Sequence, residues 1–128
     1  MNTILTSKDR IGIEIIDNQH ESIHKLAVEL TNAFSENKTY DVKYIMGKIV
    51  EEMTIHFETE ENFMKEHNCF EISHALEHQR YLEKTKNFYK AIKADKKNSE
   101  TEFLQSFRLW FYNHLELNDR KLAKAIIK

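Results

Sequence analysis

The sequence predicts an all-α fold: an up-down-up-down antiparallel four-helix bundle with an N-terminal arm and room for a short C-terminal helix. Three observations carry that expectation. Apolar residues recur at i, i+3, i+4 and i+7 in four separate stretches, the spacing of a helix that buries one face. The 128 residues include no Pro and two Gly, Gly12 and Gly47, which suits long helices and would starve a turn-rich sandwich. The connectors between the stretches are short, so successive helices should fold back as antiparallel neighbours.

Residues 1–16 read as an arm. Its Ile11, Ile13, Ile15 and Ile16 suggest that it packs on the bundle. The first helix is expected from about Asp17, a suitable N-cap, to Phe34. Its inner face carries Ile16, His20, Ile23, Ala27, Leu30 and Phe34, and the polar run Glu36-Asn37-Lys38 stops it. The second helix has the clearest stripe: Val42, Ile45, Met46, Ile49, Met53, His56, Phe57, Glu60, Phe63 and Met64. That stripe turns His56 and Glu60 inward. A buried carboxylate without a partner is strongly unfavourable, and a cation beside Glu60 would offset the cost.

Asn68 with Glu71 resembles a capping box opening a third helix. Its inner face runs through His74, His78, Tyr81 or Leu82, Thr85, Phe88 or Tyr89, and Ile92. A polar connector, Asp95 to Asn98, follows. Ser99 with Glu102 gives a second capping-box pattern. The fourth helix then presents Phe103, Phe107, Trp110, Phe111, His114 and Leu115. Asp119 fits least well, because five helical steps place it about 140° around from His114. Either the helix loosens near Asn118 or Asp119 turns inward at its end. Residues 120–128 suit a short final helix. The whole, 1–128, reads as one domain, with the bundle over about 17–119.

Charge and composition narrow the function. Lys+Arg 19 against Asp+Glu 21 gives a formal net charge of −2, without a long basic run, so neither nucleic acid nor an anionic membrane is an expected partner. No signal-peptide core appears in residues 1–16 and no stretch is long enough to span a bilayer. The single Cys69 excludes an intrachain disulfide, and the expected compartment is the cytoplasm.

The inward set is His20, His56, Glu60, His74, His78, His114 and Asp119: five imidazoles and two carboxylates. These side chains bind first-row transition metals, and an i, i+4 pair shares one helix face. Seven exceed what a four-ligand zinc site uses. Against two octahedral ions, each His takes one position and each bridging carboxylate two. An assumed solvent-derived oxygen between the metals takes two more, leaving one position open for a small ligand. The nitrogen-rich set suits iron; manganese, cobalt and zinc stay open. His24, one turn beyond His20, competes for its place. His67 and Cys69 read as loop residues, Met46, Met53 and Met64 as core. A ferritin-like di-iron reading rests on Glu21-x-x-His24 and Glu71-x-x-His74, but it leaves His56, His78 and His114 without a role.

Asp17-Asn18-Gln19-His20, His56-Phe57-x-x-Glu60-Glu61-x-Phe63-Met64, His74-x-x-x-His78 and Trp110-x-x-x-His114-x-x-x-x-Asp119 resemble the hemerythrin family in its bacterial single-domain form. The resemblance runs from about Gly12 to Asp119 and favours His20 over His24. It implies two iron ions with a bridging oxo or hydroxo group. His74, His78 and His114 would hold one iron, His20 and His56 the other, and Glu60 and Asp119 would bridge. It further implies reversible binding of O2 or another small diatomic at the iron with two His, for storage, delivery or sensing rather than as an enzyme. Ile23, Phe57, Trp110 and Phe111 match positions that wall the ligand pocket. The alternative keeps the fold and handles NO, peroxide or iron itself. Phe111 is bulkier than the Leu expected there, the arm has no Trp, and Asn68-Cys69-Phe70 replaces the usual Tyr-Pro.

Overall fold

The computed structural model describes residues 11–114 and 119–126. They form four long helices: α1 (Glu14–Ser35), α2 (Thr39–Glu66), α3 (Ile72–Lys93) and α4 (Ser99–Asn113). A short α5 (Arg120–Ile126) follows. Each long helix packs on the next, and α4 returns to α1, as expected for an antiparallel four-helix bundle.

The reversals are built by polar residues in the left-handed region. Asn37, Asn68 and Asp95 have φ of 57°, 55° and 55°, a conformation that Asn and Asp tolerate better than other side chains. Each closes the helix before it in the same way. The Asn37 N–H bonds Phe34 O at 3.1 Å and the Lys38 N–H bonds Ala33 O at 2.9 Å. The pairs Asn68–Lys65 and Cys69–Met64, then Asp95–Ile92 and Lys96–Ala91, repeat the pattern. These are Schellman closures made without glycine, which is how so few Gly suffice.

That chemistry corrects three expectations about helix starts. Asn68 ends α2 instead of opening α3, whose N-cap is Glu71. Ser99 is the first residue of α4, and its hydroxyl donates to Lys96 O at 2.6 Å; no capping box forms there. Asp17 lies inside α1, which begins at Glu14. Its carboxylate instead reaches back to accept the N–H groups of Ile11 (2.7 Å) and Gly12 (3.0 Å). Gly12 has φ 93°, which glycine adopts without cost. The last part of the arm is thus tied to the first turn of α1.

Ile11, Ile13 and Ile16 are buried, whereas Ile15 is 50% exposed, because α1 has already begun and turns it outward. Phe34 is also exposed and Ala33 buried in its place. Phe34 sits in the last turn of α1 and borders a mostly polar surface pocket with Asn37, Asp95, Lys96 and Lys97. The other inner faces fall where the periodicity puts them. Met46, Met53 and Met64 are core, Tyr81 is buried in preference to Leu82, and Thr85 returns its hydroxyl to Tyr81 O at 2.8 Å. Phe88 and Tyr89 are both half-buried. Leu115 and Asn118 lie outside the described residues.

Gly47 has a packing reason. A Cβ there would stand 2.9 Å from Tyr89 Oη, well inside van der Waals contact. At this level the Tyr89 ring of α3 lies over the bare backbone of α2.

Asp17→Ala removes the acceptor of the buried Ile11 N–H. An unsatisfied buried donor costs about 1–3 kcal/mol, so the unfolding free energy from urea titration should fall by that amount, seen as a lower midpoint with an unchanged denaturant slope. An unchanged midpoint would show that the arm contributes nothing to the bundle.

Candidate metal centre

Four helices and the residue just before α5 each aim side chains at one buried point. His20 comes from α1, His56 and Glu60 from α2, His74 and His78 from α3, and His114 from the end of α4. Asp119 directly precedes α5. All seven are buried; Glu60 and Asp119 are 0% exposed. The i, i+4 spacing within α2 and α3 does this locally, since each pair of inward residues lies one turn apart.

Asp119 is resolved by a change of helix type. His114 and Asp119 both have π-helical backbone. A turn closed by i→i+5 bonds carries residue i+5 back toward the face of residue i, which an α-helix would not do. Residues 115–118 lie outside the described residues.

The donors sort into two overlapping groups. Glu60, His74, His78 and His114 offer ligand atoms within 4.8 Å of one another, and so do His20, His56, Glu60 and Asp119. Glu60 belongs to both. Its Oε1 faces His56 at 2.5 Å and His114 at 3.2 Å, and its Oε2 faces His74 at 3.2 Å and His78 at 3.5 Å. Asp119 also divides its oxygens: Oδ2 lies 2.8 Å from His20, Oδ1 2.8 Å from His114 and 3.6 Å from His74. Each carboxylate therefore offers an oxygen to both halves.

Most of these close approaches lack hydrogen-bond geometry, the His114 Nε2 to Glu60 Oε1 contact at 3.2 Å being an exception. His20 Nε2, His56 Nε2, His74 Nε2, Glu60 Oε2 and both Asp119 oxygens are buried without a well-directed hydrogen bond. His78 Nε2 and His114 Nε2 face each other at 3.4 Å. Nitrogen and carboxylate donors that converge on shared points without satisfying one another suit metal ligation once the imidazoles are deprotonated. The set can hold a metal cation, and the buried carboxylates supply the charge to attract one.

The protein already answers that charge with protons. Burial disfavours charged His20, but the Asp119 and Glu60 carboxylates outweigh it and raise its pKa from 6.5 to about 9. Burial opposes His74 likewise, and the same two carboxylates raise it to about 9. His114 is held well above its usual range by the same contest. His56 goes the other way: burial dominates and lowers it. Burial pushes Glu60 up, yet His56 and His114 hold it well below the carboxylate range. Asp119 is pushed up by burial and by Glu60, and His114 and His20 bring it down overall.

Outside the seven, Phe57 stacks on His78 (centroids 4.1 Å apart, planes 7° apart) and Trp110 on His114 (4.5 Å, 15°). Phe111 meets His20 edge-on at 5.6 Å. Ile23 is buried on α1. His24 is half-buried against the Phe111 ring and stands in neither donor group. His67 is exposed, its Nδ1 donating to Phe63 O. The carboxylates that a ferritin-like site needs are elsewhere: Glu21 and Glu102 are exposed, and Glu71 pairs with Lys121 at 3.1 Å.

A family model described as the hemerythrin HHE cation binding domain matches residues 11–126. The chain belongs to the hemerythrin family. A bacteriohemerythrin from Stenotrophomonas maltophilia (strain R551-3) is 25% identical over 117 residues, 91% of this chain and 76% of that protein. Among the described residues of this hemerythrin-family chain, no helix is long and apolar enough to cross a membrane.

The sequence reading did not identify the residues behind the histidines. His56 Nδ1 lies 2.9 Å from Gln19 Oε1, His78 Nδ1 3.0 Å from Glu61 Oε2, and His114 Nδ1 3.4 Å from Glu77 Oε1. Gln19 and Glu61 adjoin His20 and Glu60, but contacts between helices leave no mark on the periodicity of one.

At pH 7 the metal-free centre holds protons on His20, His74 and His114, and a metal must displace them. Metal addition to metal-free protein in weak buffer should release protons, read with a pH indicator, and affinity should climb as pH rises toward about 9. The folded values lie above 6.5, so these pairs stabilise the metal-free fold fully below pH 6.5 and lose that effect through about 9. Metal uptake without proton release would contradict the protonated cluster.

Proposed function

We propose that this chain binds O2 reversibly at a non-haem di-iron centre. The observation that carries the reading is the overlap of the two donor groups on Glu60. Two groups that share a carboxylate suit two ions one bridge apart better than two independent sites. On this reading His74, His78 and His114 hold one iron, His20 and His56 the other, and Glu60 and Asp119 bridge them. An oxo or hydroxo group would complete the ligand count, and the two-His side would be the side able to accept a small ligand. Bound iron supplies the reversible electron transfer that O2 binding requires.

The protein's own part is to bind, orient and exclude. Neutral imidazoles add no charge, so the two carboxylates and the bridging oxygen set the charge of the site. On this reading Ile23, Phe57, Trp110 and Phe111 supply an apolar lining to the centre, with Phe111 against His20 and with Phe57 and Trp110 stacked on His78 and His114. Such a lining disfavours charge separation and water entry, and thus slows loss of bound oxygen in a reduced form. The single Cys69 fits a reducing cytoplasm.

Purified protein should hold two irons per chain. After anaerobic reduction, air should produce a visible absorption band that disappears when O2 is removed. Irreversible bleaching, or steady turnover of peroxide or NO, would point to a redox enzyme instead. Metal-free protein that takes up no iron yet melts cooperatively would sink the reading.

His78→Ala should lower iron occupancy by roughly the 10–100-fold in affinity that even supporting residues cost. His24→Ala should leave both irons. Loss of iron from the His24 variant would show that the wrong histidine has been assigned to α1.

A further inference from the structure

The histidines of the two halves are supported differently. On the three-His side, carboxylates stand behind two rings: Glu61 behind His78 at 3.0 Å and Glu77 behind His114 at 3.4 Å. An ionised carboxylate only accepts hydrogen bonds. Both Nδ1 atoms must therefore carry the hydrogen, which leaves each Nε2 lone pair facing the cluster.

On the two-His side the support is neutral. Gln19 Nε2 donates to Thr59 Oγ1 at 3.0 Å, and the Thr59 hydroxyl donates onward to Ile55 O at 2.9 Å. With its only hydrogen so committed, Thr59 must accept from the amide. That fixes the amide's orientation: Gln19 Oε1 accepts from His56 Nδ1–H at 2.9 Å. His20 Nδ1, buried in the same half, has no hydrogen-bond partner. One half is thus backed by two negative charges and the other by none.

Resting on the di-iron reading above, we propose that Glu61 and Glu77 are positioning residues that bias the three-His half of the centre toward the oxidised metal, while Gln19 keeps the two-His half electron-poorer and easier to reduce. A carboxylate acceptor at Nδ1 draws the ring proton toward itself and makes Nε2 a stronger donor. Stronger donation and nearby negative charge favour the more highly charged metal ion. A neutral amide orients the ring equally well without that bias. Glu61 makes the shorter contact and is the less exposed, 29% against 39% for Glu77, so solvent weakens its influence less. The effect of Glu61 should exceed that of Glu77.

The test compares wild type, Glu61→Gln, Glu77→Gln and Gln19→Glu, each loaded with iron anaerobically. Iron per chain is counted by mass spectrometry, and midpoint potentials come from spectroelectrochemical titration. Glu61→Gln keeps a hydrogen-bonding group of the same shape and removes the charge. It should shift the reduced-to-oxidised ratio about tenfold toward reduced at fixed potential, about 59 mV per one-electron step. Glu77→Gln should shift it the same way by less, and Gln19→Glu the opposite way. Variants with wild-type iron whose ratios stay within about twofold of wild type would overturn the proposal and leave the di-iron centre standing. If the Gln variants shed iron, Gln19→Glu decides: a lowered potential supports the proposal, and an unchanged or raised one overturns it. Wild-type protein that takes up no iron overturns the di-iron reading first, and this inference with it.

Discussion

Two carboxylates with no solvent exposure, Glu60 and Asp119, set the terms for the rest of the molecule. Moving an ionised carboxylate out of water costs several kcal/mol even after relaxation, and here two lie in one cavity and repel each other. They persist because five imidazoles surround them, three carrying raised proton affinities. The arrangement resembles a charge waiting for a counter-charge. Protons meet the need partially and metal ions meet it fully. A bundle whose core were simply hydrophobic would have no reason to accept this cost, because replacing a buried ion network with apolar residues is often stabilising.

Delivering seven side chains to one point demands that four helices keep fixed register, and the loops are the devices that set it. Three helices end at an Asn or Asp in the left-handed region with the same pair of backbone bonds. A closure of this kind fixes where the chain leaves the helix and thus where the next one starts. The Asp17 carboxylate performs a related task by pinning Ile11 and Gly12 against the first turn of α1, a few residues before His20. Apolar packing then holds the bundle from the far side, where Phe103, Phe107, Ile49 and Leu30 are fully buried.

Helical spacing made much of this legible in the sequence. A stripe that carries His56 and Glu60 among Met53, Phe57 and Met64 can face only inward, and burial bears that out. The seven candidate ligands could be named because each lies on such a stripe or answers a count of coordination positions. What stayed hidden has physical causes. Asn68 precedes Glu71 by three residues, which imitates a helix start, while its backbone serves as a helix stop; sequence spacing cannot distinguish the two. His114 and Asp119 would fall on different faces of an α-helix, yet their side chains meet at 2.8 Å, and both residues have π-helical backbone. The link from Gln19 to His56 and Thr59 spans about 40 positions and exists only once α1 and α2 have docked. Local pattern predicts which face a residue occupies, and not what meets it there.

The rings add a further asymmetry that follows from aromatic placement rather than from ligand type. His78 and His114 lie flat against Phe57 and Trp110, and Tyr81 stacks in turn on Trp110 at 4.1 Å. Offset stacking and edge contacts each contribute about 0.5–1.5 kcal/mol beyond buried area, and stacking also restricts how far an imidazole can tilt. His20 has only edge-on contacts, with His56 at 4.5 Å and Phe111 at 5.6 Å, and its Nδ1 lacks a hydrogen-bond partner. In the three-His half, His78 and His114 are therefore held by both stacking and hydrogen bonds, and the two-His half is held more loosely at His20. Under the proposed two-metal reading, this division would make the three-His half the more firmly oriented of the two. Phe111 meets the rings of both His20 and His24, so its bulk limits how far the His20 ring can tilt.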